Sequence, residues 1–258
     1  MKLKAIIQAR VGSRRLPGKA LLKVLDKTIL EYVIERVKKA KTIKEIIIAT
    51  TTKEEDLQIA DLAKRLDVDL FRGSEDDLLD RYYQAAQLFK IKHVVRICAD
   101  CPLIDPDVID AAVAHYFESG ADYSSNTVER SFPDGLDVEV FSFDALKCAW
   151  EEAKLLSERE HVTPYIWKNP DRFKVVGLKN EKDYSAKRWT LDEKEDFELI
   201  RTILESLYPA NPDFRMKDIL QFLQAHPKLE DINSHIIVNE GYLKSLKEDK
   251  KVEERGRV

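Results

Sequence analysis

The sequence predicts an α/β protein with a mainly parallel central sheet and helices on both of its faces. Three observations carry that prediction. Over the first 120 residues, short runs rich in Ile and Val alternate with stretches whose apolar residues recur at helical spacing, the pattern of βαβ units. A chain of 258 residues that is 44% hydrophobic and 35% charged has a globular composition and buries a large core without staples. The first apolar run also leads straight into a loop crowded with cations and glycines, at the end of the strands where open α/β sheets bind ligands.

The runs at 4–9, 45–50, 68–71 and 93–99 read as buried strands. Between them, Ile29, Leu30, Val33, Val37 and Ala40 mark one helical face, and Leu57, Ala60, Ala63 and Leu66 a second. A third face carries Leu78, Leu79, Tyr82, Ala86 and Phe89, and a fourth helix holds Val108 and Ala112 and ends near Phe117. Right-handed crossovers would cover both sheet faces. After Gly120 the rhythm turns to α+β. Strands are expected at 121–126, 136–141, 173–178 and 188–191, and helices at 142–154 and 160–167. Two later helices bury Phe197, Ile200, Leu204 and Leu207, then Met216, Ile219, Leu220 and Leu223. One domain therefore spans 1–243, with halves meeting near residue 120, and the charged stretch 244–258 is expected to be a flexible tail.

Several classes are excluded. With 43 Lys plus Arg against 47 Asp plus Glu, the net charge is −4, which argues against bulk nucleic-acid binding. No run approaches the ~18 to 20 apolar residues of a membrane helix, so no membrane insertion is expected. The amino terminus lacks the pattern of a secretory signal. Three cysteines make no disulfide framework, and the expected location is the cytoplasm.

The loop after the first strand reads Gln8-Ala9-Arg10-Val11-Gly12-Ser13-Arg14-Arg15-Leu16-Pro17-Gly18-Lys19. Glycine turns and several cations at a strand's carboxyl end suit a polyphosphate, and a plain basic surface turn is the alternative. It is no Walker loop, because Gly12 to Gly18 is one residue too long and Ala20 replaces Ser or Thr.

The fourth strand ends in Arg96-Ile97-Cys98-Ala99-Asp100-Cys101-Pro102. Asp100 points toward the same crevice, where beside a polyphosphate a carboxylate holds Mg²⁺; capping a turn is its other role. Cys98 and Cys101 lack the second ligand pair of a zinc site and read as small buried residues. Asp137 and Glu139 fall on one strand face, to bind substrate hydroxyls or to meet solvent. His161 is either a substrate contact or a structural histidine. A short strand ending in Asp192 makes that residue the partner of Asp100, while Glu195 and Asp196 just beyond it favour a helix amino terminus.

Together these segments resemble the cytidylyltransferase family, which includes CMP-Kdo and CMP-sialate synthetases and the spore coat polysaccharide biosynthesis (SpsF) proteins. The blocks are Ile7-Gln8-Ala9-Arg10, Gly12-Ser13, Arg15-Leu16-Pro17-Gly18-Lys19, Arg72-Gly73-Ser74 with Asp77 and Arg81, and 96–103, 133–139, 158–164 and 189–197. They run in order over about residues 3–200 and resemble the SpsF branch. The resemblance implies a Rossmann-like, GT-A-type nucleotidyltransferase fold, with 1–120 as the nucleotide-binding half and 121–243 on the acceptor side. It implies that Arg10, Ser13, Arg15 and Lys19 bind the triphosphate, joined by Gln8, Ala9, Gly12, Arg72 and Asp77 around the nucleotide. Asp100 and Asp192 would hold Mg²⁺, and Arg10, Lys19 and Asp100 would be catalytic. Because this branch departs from the CMP-sialate and CMP-Kdo enzymes in the acceptor half, the acceptor does not carry over.

The expected reaction is attack by a sugar hydroxyl or sugar phosphate on the α-phosphorus of a nucleoside triphosphate, with CTP favoured by resemblance, releasing pyrophosphate. Asp137, Glu139, Arg159 and His161 are the expected acceptor-side residues. A homodimer is plausible because relatives commonly dimerise. A GT-A-type glycosyltransferase using a nucleotide-sugar and a non-catalytic nucleotide-binding protein are the rival readings.

Overall fold

The computed structural model describes residues 3–13 and 15–255, with side chains described through Lys251. Strand β1 (Leu3–Gln8) runs into the cation-rich loop, a 3-10 turn (Lys19–Leu21), a small hairpin of β2 (Lys23–Val24) and β3 (Lys27–Thr28), and helix α1 (Ile29–Lys38). Then come β4 (Ile43–Thr51), α2 (Leu57–Arg65), β5 (Asp69–Gly73), α3 (Leu78–Leu88), β6 (His93–Cys98) and α4 (Pro106–Ser119). The second half holds β7 (Tyr123–Ser125), β8 (Glu139–Ser142), α5 (Phe143–Glu152), α6 (Leu156–His161), α7 (Pro164–Trp167) and β9 (Val175–Gly177). Three long helices finish the described chain, α8 (Lys194–Leu207), α9 (Met216–Ala225) and α10 (Glu240–Arg255).

The central sheet has seven strands in the order β5-β4-β1-β6-β8-β7-β9. Only β8 runs against the rest: it pairs antiparallel with β6 and β7, whereas the other neighbours are parallel. Side chains alternate between faces along each strand. On one face Ala5, Ile7, Ile48 and Val95 pack against Leu30 and Val33 of α1, Ile59 of α2 and Ile109 of α4. On the other, Ile6, Ile47 and Val94 meet Leu79, Tyr82 and Ala86 of α3 and Leu146 of α5. Fully burying each such Ile or Leu contributes about 1.5–3 kcal/mol, so the strand runs and helical faces specify this sandwich together.

Helix starts follow side-chain chemistry. Thr28 accepts from the Glu31 amide at 3.2 Å while Glu31 accepts from the Thr28 amide at 2.8 Å, a capping box for α1. Asp77 caps α3 by accepting from the Asp80 amide at 2.8 Å. Asp105 and Pro106 open α4, and Gly120 at φ 58° closes it.

Three expectations change, and one element was not expected. The stretch expected as one helix over 160–167 is broken, because Val162 adopts φ 73° between α6 and α7. The strand expected at 188–191 makes a single bridge, Arg188 with Asp134, instead of a ladder. The β2–β3 hairpin had no Gly or Asn to signal it; Leu25 itself takes φ 54° at its turn. The charged stretch expected as a flexible tail is helical as far as Arg255, with Ser245 and Asp249 buried against α6; residues 256–258 lie outside the described residues.

Candidate active site

The strand order reverses between β1 and β6, since the chain leaves β1 toward β4 and β5 on one side and returns to β6 on the other. At such a switch point the loops after the two strands part and leave a crevice. Here it has a volume of about 940 Å³, lined by Gln8 at the end of β1, by Ala9, Arg10, Ser13, Arg15 and Lys19 from the first loop, and by 98–101 at the end of β6 and just beyond it. A smaller hollow of about 440 Å³, around Lys38, Lys44 and Asp69, lies by the amino ends of β4 and β5 and gathers none of the residues singled out above.

The cation-rich loop is folded back on itself. The Val11 carbonyl accepts from the Ser13 amide at 2.7 Å and the Gly18 amide at 2.9 Å, closing the turn. Gly18 sits at φ 71°, a left-handed conformation that favours glycine. The Val11 amide donates to Asp56 at 2.7 Å, pinning the loop to the segment after β4. This closure delivers Lys19 to the centre of the crevice. Its ammonium donates to Asp100 at 2.8 Å, to Asp192 at 2.8 Å and to the Leu191 carbonyl at 2.9 Å. Burial works against charge on Lys19, yet the two carboxylates outweigh it and raise its pKa. Burial likewise opposes ionisation of Asp192, and Lys19, Arg15 and Arg188 overcome it to hold the carboxyl below its usual range. Arg15 reaches Asp192 at 2.8 Å, Glu193 at 3.5 Å and Glu240 of α10 at 3.1 Å.

Asp192 is placed by a seam between distant segments. The Trp189 amide donates to the Asp134 carbonyl at 2.6 Å and the Leu191 amide to the Asp100 carbonyl at 2.8 Å. Gly135, at φ 102°, passes so close that a Cβ there would lie 2.5 Å from the Thr190 nitrogen. Beneath the seam the Arg188 guanidinium binds the fully buried Asp196 at 2.9 and 2.8 Å, and Asp196 also accepts from the Asp192 and Glu193 amides, at 2.9 Å each. Asp196 thus does more than favour a helix terminus.

Across the crevice, Glu139 is buried and accepts from Tyr123 at 2.6 Å and Thr163 at 2.6 Å, and it pairs with Arg96. Burial raises its pKa, but Arg96 with the two hydroxyls brings the carboxyl below its ordinary value. Asp137 pairs with Arg130 at 3.1 Å, and burial shifts its carboxyl upward. Asp134 is pushed to about 7 by burial and by Asp137, against Arg130 and Arg188. His161 bonds Ser245 of α10 at 3.1 Å and meets Tyr242 edge-on at 5.2 Å, its pKa lowered by burial.

Of the residues expected from sequence, Gln8, Ala9, Arg10, Ser13, Arg15, Lys19, Asp100, Asp137, Glu139, His161 and Asp192 line one crevice. Four expected residues are not among its lining. Arg72 donates to the carbonyls of Thr51 at 3.0 Å and Lys53 at 2.7 Å, bracing the loop after β4. Asp77 and Arg159 pair with each other, tying the start of α3 to α6. Gly12 leaves room for Glu55, whose Oε1 would lie 2.9 Å from an added Cβ. Sequence reasoning gave no site role to Arg81, Arg96, Arg130, Asp134, Thr163, Trp167, Arg188, Tyr242 and Ser245, which also line it. Asp134, between Pro133 and Gly135 and three residues before Asp137, carried a signal; the α10 residues carried none.

No group of three or more His, Cys, Asp or Glu side chains converges as a metal cage among the described residues. Asp100 and Asp192 nevertheless converge on one point, the Lys19 ammonium, 2.8 Å from each. Two carboxylates beside phosphate oxygens and water fit Mg²⁺, once Lys19 gives up that position. Cys98 and Cys101 are free, and burial pushes the Cys98 thiol up to about 12, leaving it a poor ligand.

A mainly parallel sheet with this switch-point crevice defines a Rossmann-like protein of nucleotidyltransferase type. Residues 4–224 match the cytidylyltransferase family, and the chain belongs to it. An uncharacterized protein of Methanocaldococcus jannaschii is 43% identical over 92% of this chain and 96% of its own. The spore coat polysaccharide biosynthesis protein SpsF of Bacillus subtilis is 31% identical over 86% of this chain and 94% of its own. The solved structure of a cytidylyltransferase from Leptospira borgpetersenii superposes with a TM-score of 0.85 at 34% identity, covering 89% of this chain and 97% of that one. The family match ends before α10, so Tyr242, Ser245 and Glu240 join the crevice from beyond it.

Proposed function

We propose that the protein transfers the cytidylyl group of CTP to a sugar acceptor and releases pyrophosphate, for the biosynthesis of a surface polysaccharide or other glycan. The observation that carries this reading is the meeting of Arg10, Arg15 and Lys19 with Asp100 and Asp192 at the β1–β6 switch point. An acceptor oxygen, either the anomeric hydroxyl of an acidic sugar or a sugar phosphate, attacks the α-phosphorus as the bond to the β-phosphate breaks. Anion approaches anion, so the work of the site is positioning and charge neutralisation. Lys19, exchanging its carboxylate partners for phosphate oxygens, and Arg15, released from Glu240, offset the charge that collects on the departing pyrophosphate. Arg10, half-exposed and only 3.9 Å from Glu75, is free to do the same. Asp100 and Asp192 hold Mg²⁺, which when bound shields the phosphates from one another.

Asp137, Glu139 and His161 face the acceptor. Arg159, committed to Asp77 and the Trp150 carbonyl, steadies α6 from behind. A cytoplasmic homodimer accompanies this reading and is checked by gel filtration.

Thermal shifts with CTP, GTP, UTP and ATP, each with and without Mg²⁺, test it first. A ligand at about 100 times its Kd stabilises the fold by about 2.7 kcal/mol. A shift with CTP that grows with Mg²⁺ is expected, followed by pyrophosphate release in an acceptor screen. Asp100→Asn should lose most of that turnover, and near-normal release at saturating Mg²⁺ removes Asp100 from the mechanism. Shifts confined to nucleoside diphosphates or nucleotide-sugars move the reading to a glycosyltransferase. Binding of CTP without metal-dependent turnover leaves a nucleotide-binding module.

A further inference from the structure

We infer that α10 is a strap that competes with the phosphates of the nucleotide: Glu240 and a bound triphosphate or pyrophosphate exclude each other at Arg15. The inference rests on the phosphate role proposed for Arg15 above. Arg15 pairs with Asp192, Glu193 and Glu240, and these carboxylates are held very differently. Asp192 and Glu193 are fixed, because both of their amides donate to the buried Asp196 at 2.9 Å. Glu240 arrives from 225 positions away in the chain, 3.1 Å from the guanidinium, with 37% of its side chain exposed. One of its oxygens meets Arg15 and the other meets Lys244, a turn further along α10, at 2.9 Å. When a phosphate takes Arg15, Glu240 therefore keeps Lys244 as its counterion, and a carboxylate in the first turn of a helix is favoured by the helix dipole. Glu240 is the partner that leaves at least cost.

The mounting of α10 lets its amino end move. Ahead of it, Asn233 is buried and donates to the Arg188 carbonyl at 3.0 Å and to Asp196 at 2.9 Å, a fixed point beneath the seam. The link that follows leaves Ile237 64% exposed and turns at Asn239, which takes φ 59°. Further along, the helix is clamped to α6: Ser245 donates to Glu160 at 2.6 Å, and the buried Asp249 accepts from the Ser157 amide at 3.1 Å. The amino end is tied to the crevice by Glu240 on Arg15, by Asn239 on Arg130 at 3.4 Å and by the Tyr242 ring against His161. An exposed link on one side and a clamp on the other make the first turn the part that yields.

Such competition acts alike on every ligand that needs Arg15. By the reading above, Arg15 offsets charge on the phosphates that depart as pyrophosphate. CTP, tripolyphosphate and pyrophosphate must each displace Glu240, whereas CMP ends short of it. Affinity for the first three is scaled by the fraction of molecules in which Arg15 is clear of Glu240. The same carboxylate retakes Arg15 as pyrophosphate leaves, so the helix opposes retention of the product as well. The family match ends at residue 224, which makes the strap a device of this chain's own last described helix.

Calorimetric titration of wild type, Glu240→Gln and Glu240→Asp with CTP, tripolyphosphate, pyrophosphate and CMP, all with Mg²⁺, tests the strap. Glu240→Gln should bind the first three roughly 2- to 5-fold more tightly, the worth of one partly exposed ion pair, and CMP as wild type does. Glu240→Asp keeps the charge but is one methylene too short to hold Arg15, so it should follow Glu240→Gln. If only the field of the carboxylate mattered, it would follow wild type. Hydrogen exchange supplies a second readout on the amides of 243–246, whose hydrogen bonds return to the first turn of α10. Pyrophosphate, and not CMP, should speed that exchange in wild type, and in Glu240→Gln it should be fast already. Unchanged affinities in Glu240→Gln, an equal gain for CMP, a Glu240→Asp protein that follows wild type, or unaltered exchange would each overturn the inference. A wild-type protein that binds none of CTP, tripolyphosphate and pyrophosphate sinks the functional reading itself; Glu240 variants that match a wild type which does bind them sink only the strap.

Discussion

Replacing Lys19 with Met keeps the aliphatic stem and removes the ammonium that separates Asp100 from Asp192. The three side chains are 16%, 26% and 21% exposed, so the pair is largely but not wholly shielded from water. Removing one partner of a buried pair costs about 3–5 kcal/mol. Partial exposure, together with Arg15 at 2.8 Å and Arg188 at 3.5 Å from Asp192, reduces this to about 2–3 kcal/mol. At roughly 2–4 °C per kcal/mol for a chain of this size, the ligand-free variant should melt about 4–12 °C lower. Differential scanning calorimetry reads this directly. Millimolar Mg²⁺ should then restore part of the loss, and its shift should be larger in the variant than in wild type, because the two carboxylates no longer hold an internal cation. A Lys19→Met protein that melts with wild type, or an equal Mg²⁺ shift in both, refutes the proposal that Lys19 occupies the place of a metal.

Two further outcomes are expected. Gly135→Ala would press a Cβ to within 2.5 Å of the Trp189–Thr190 backbone at φ 102°, and should destabilise the fold by about 3 kcal/mol or more; a melting temperature near wild type would mean that the seam holding Asp192 is loose. The Asp134 carboxyl, ordinarily at 3.8, stands at about 7 in the fold. Between those values the folded chain keeps a proton that the unfolded chain has released, so stability falls as pH rises through this window. Asp134→Asn should flatten that fall in a series of melts, and an unchanged slope would reassign it to other groups.

The halves of the chain differed in how far they could be read. Strands β1, β4, β5 and β6 and helices α1 to α4 announce themselves through local periodicity, because each needs only its own neighbours in sequence to show which face is buried. The same holds for the loop from Gln8 to Lys19, whose glycines and cations imply a ligand before any packing is known. Beyond Gly120 the strands are short, and β8 gains its place only by pairing with β6 and β7. Such pairing leaves a weak local trace.

Charge partners were the least legible. Arg72, Asp77 and Arg159 have the residue types of a binding site, yet Asp77 and Arg159 pair with each other between α3 and α6, and Arg72 donates from Nε and Nη2 to carbonyls of the loop after β4. Lys19, Asp100 and Asp192 were expected in one crevice from their places at the ends of strands, and by resemblance; that the ammonium sits between the carboxylates depends on the seam carrying residue 191 back to residue 100. The helical tail is similar, since Tyr242, Ser245 and Glu240 join the crevice only because α10 folds back on α6. By itself the sequence determined which segments pair apolar faces with a parallel sheet, and which loop carries the cations. The tertiary structure alone decided which of those charges are already neutralised and which remain open to a ligand, because Coulombic and hydrogen-bond partners are chosen by distance in space between residues far apart in the chain.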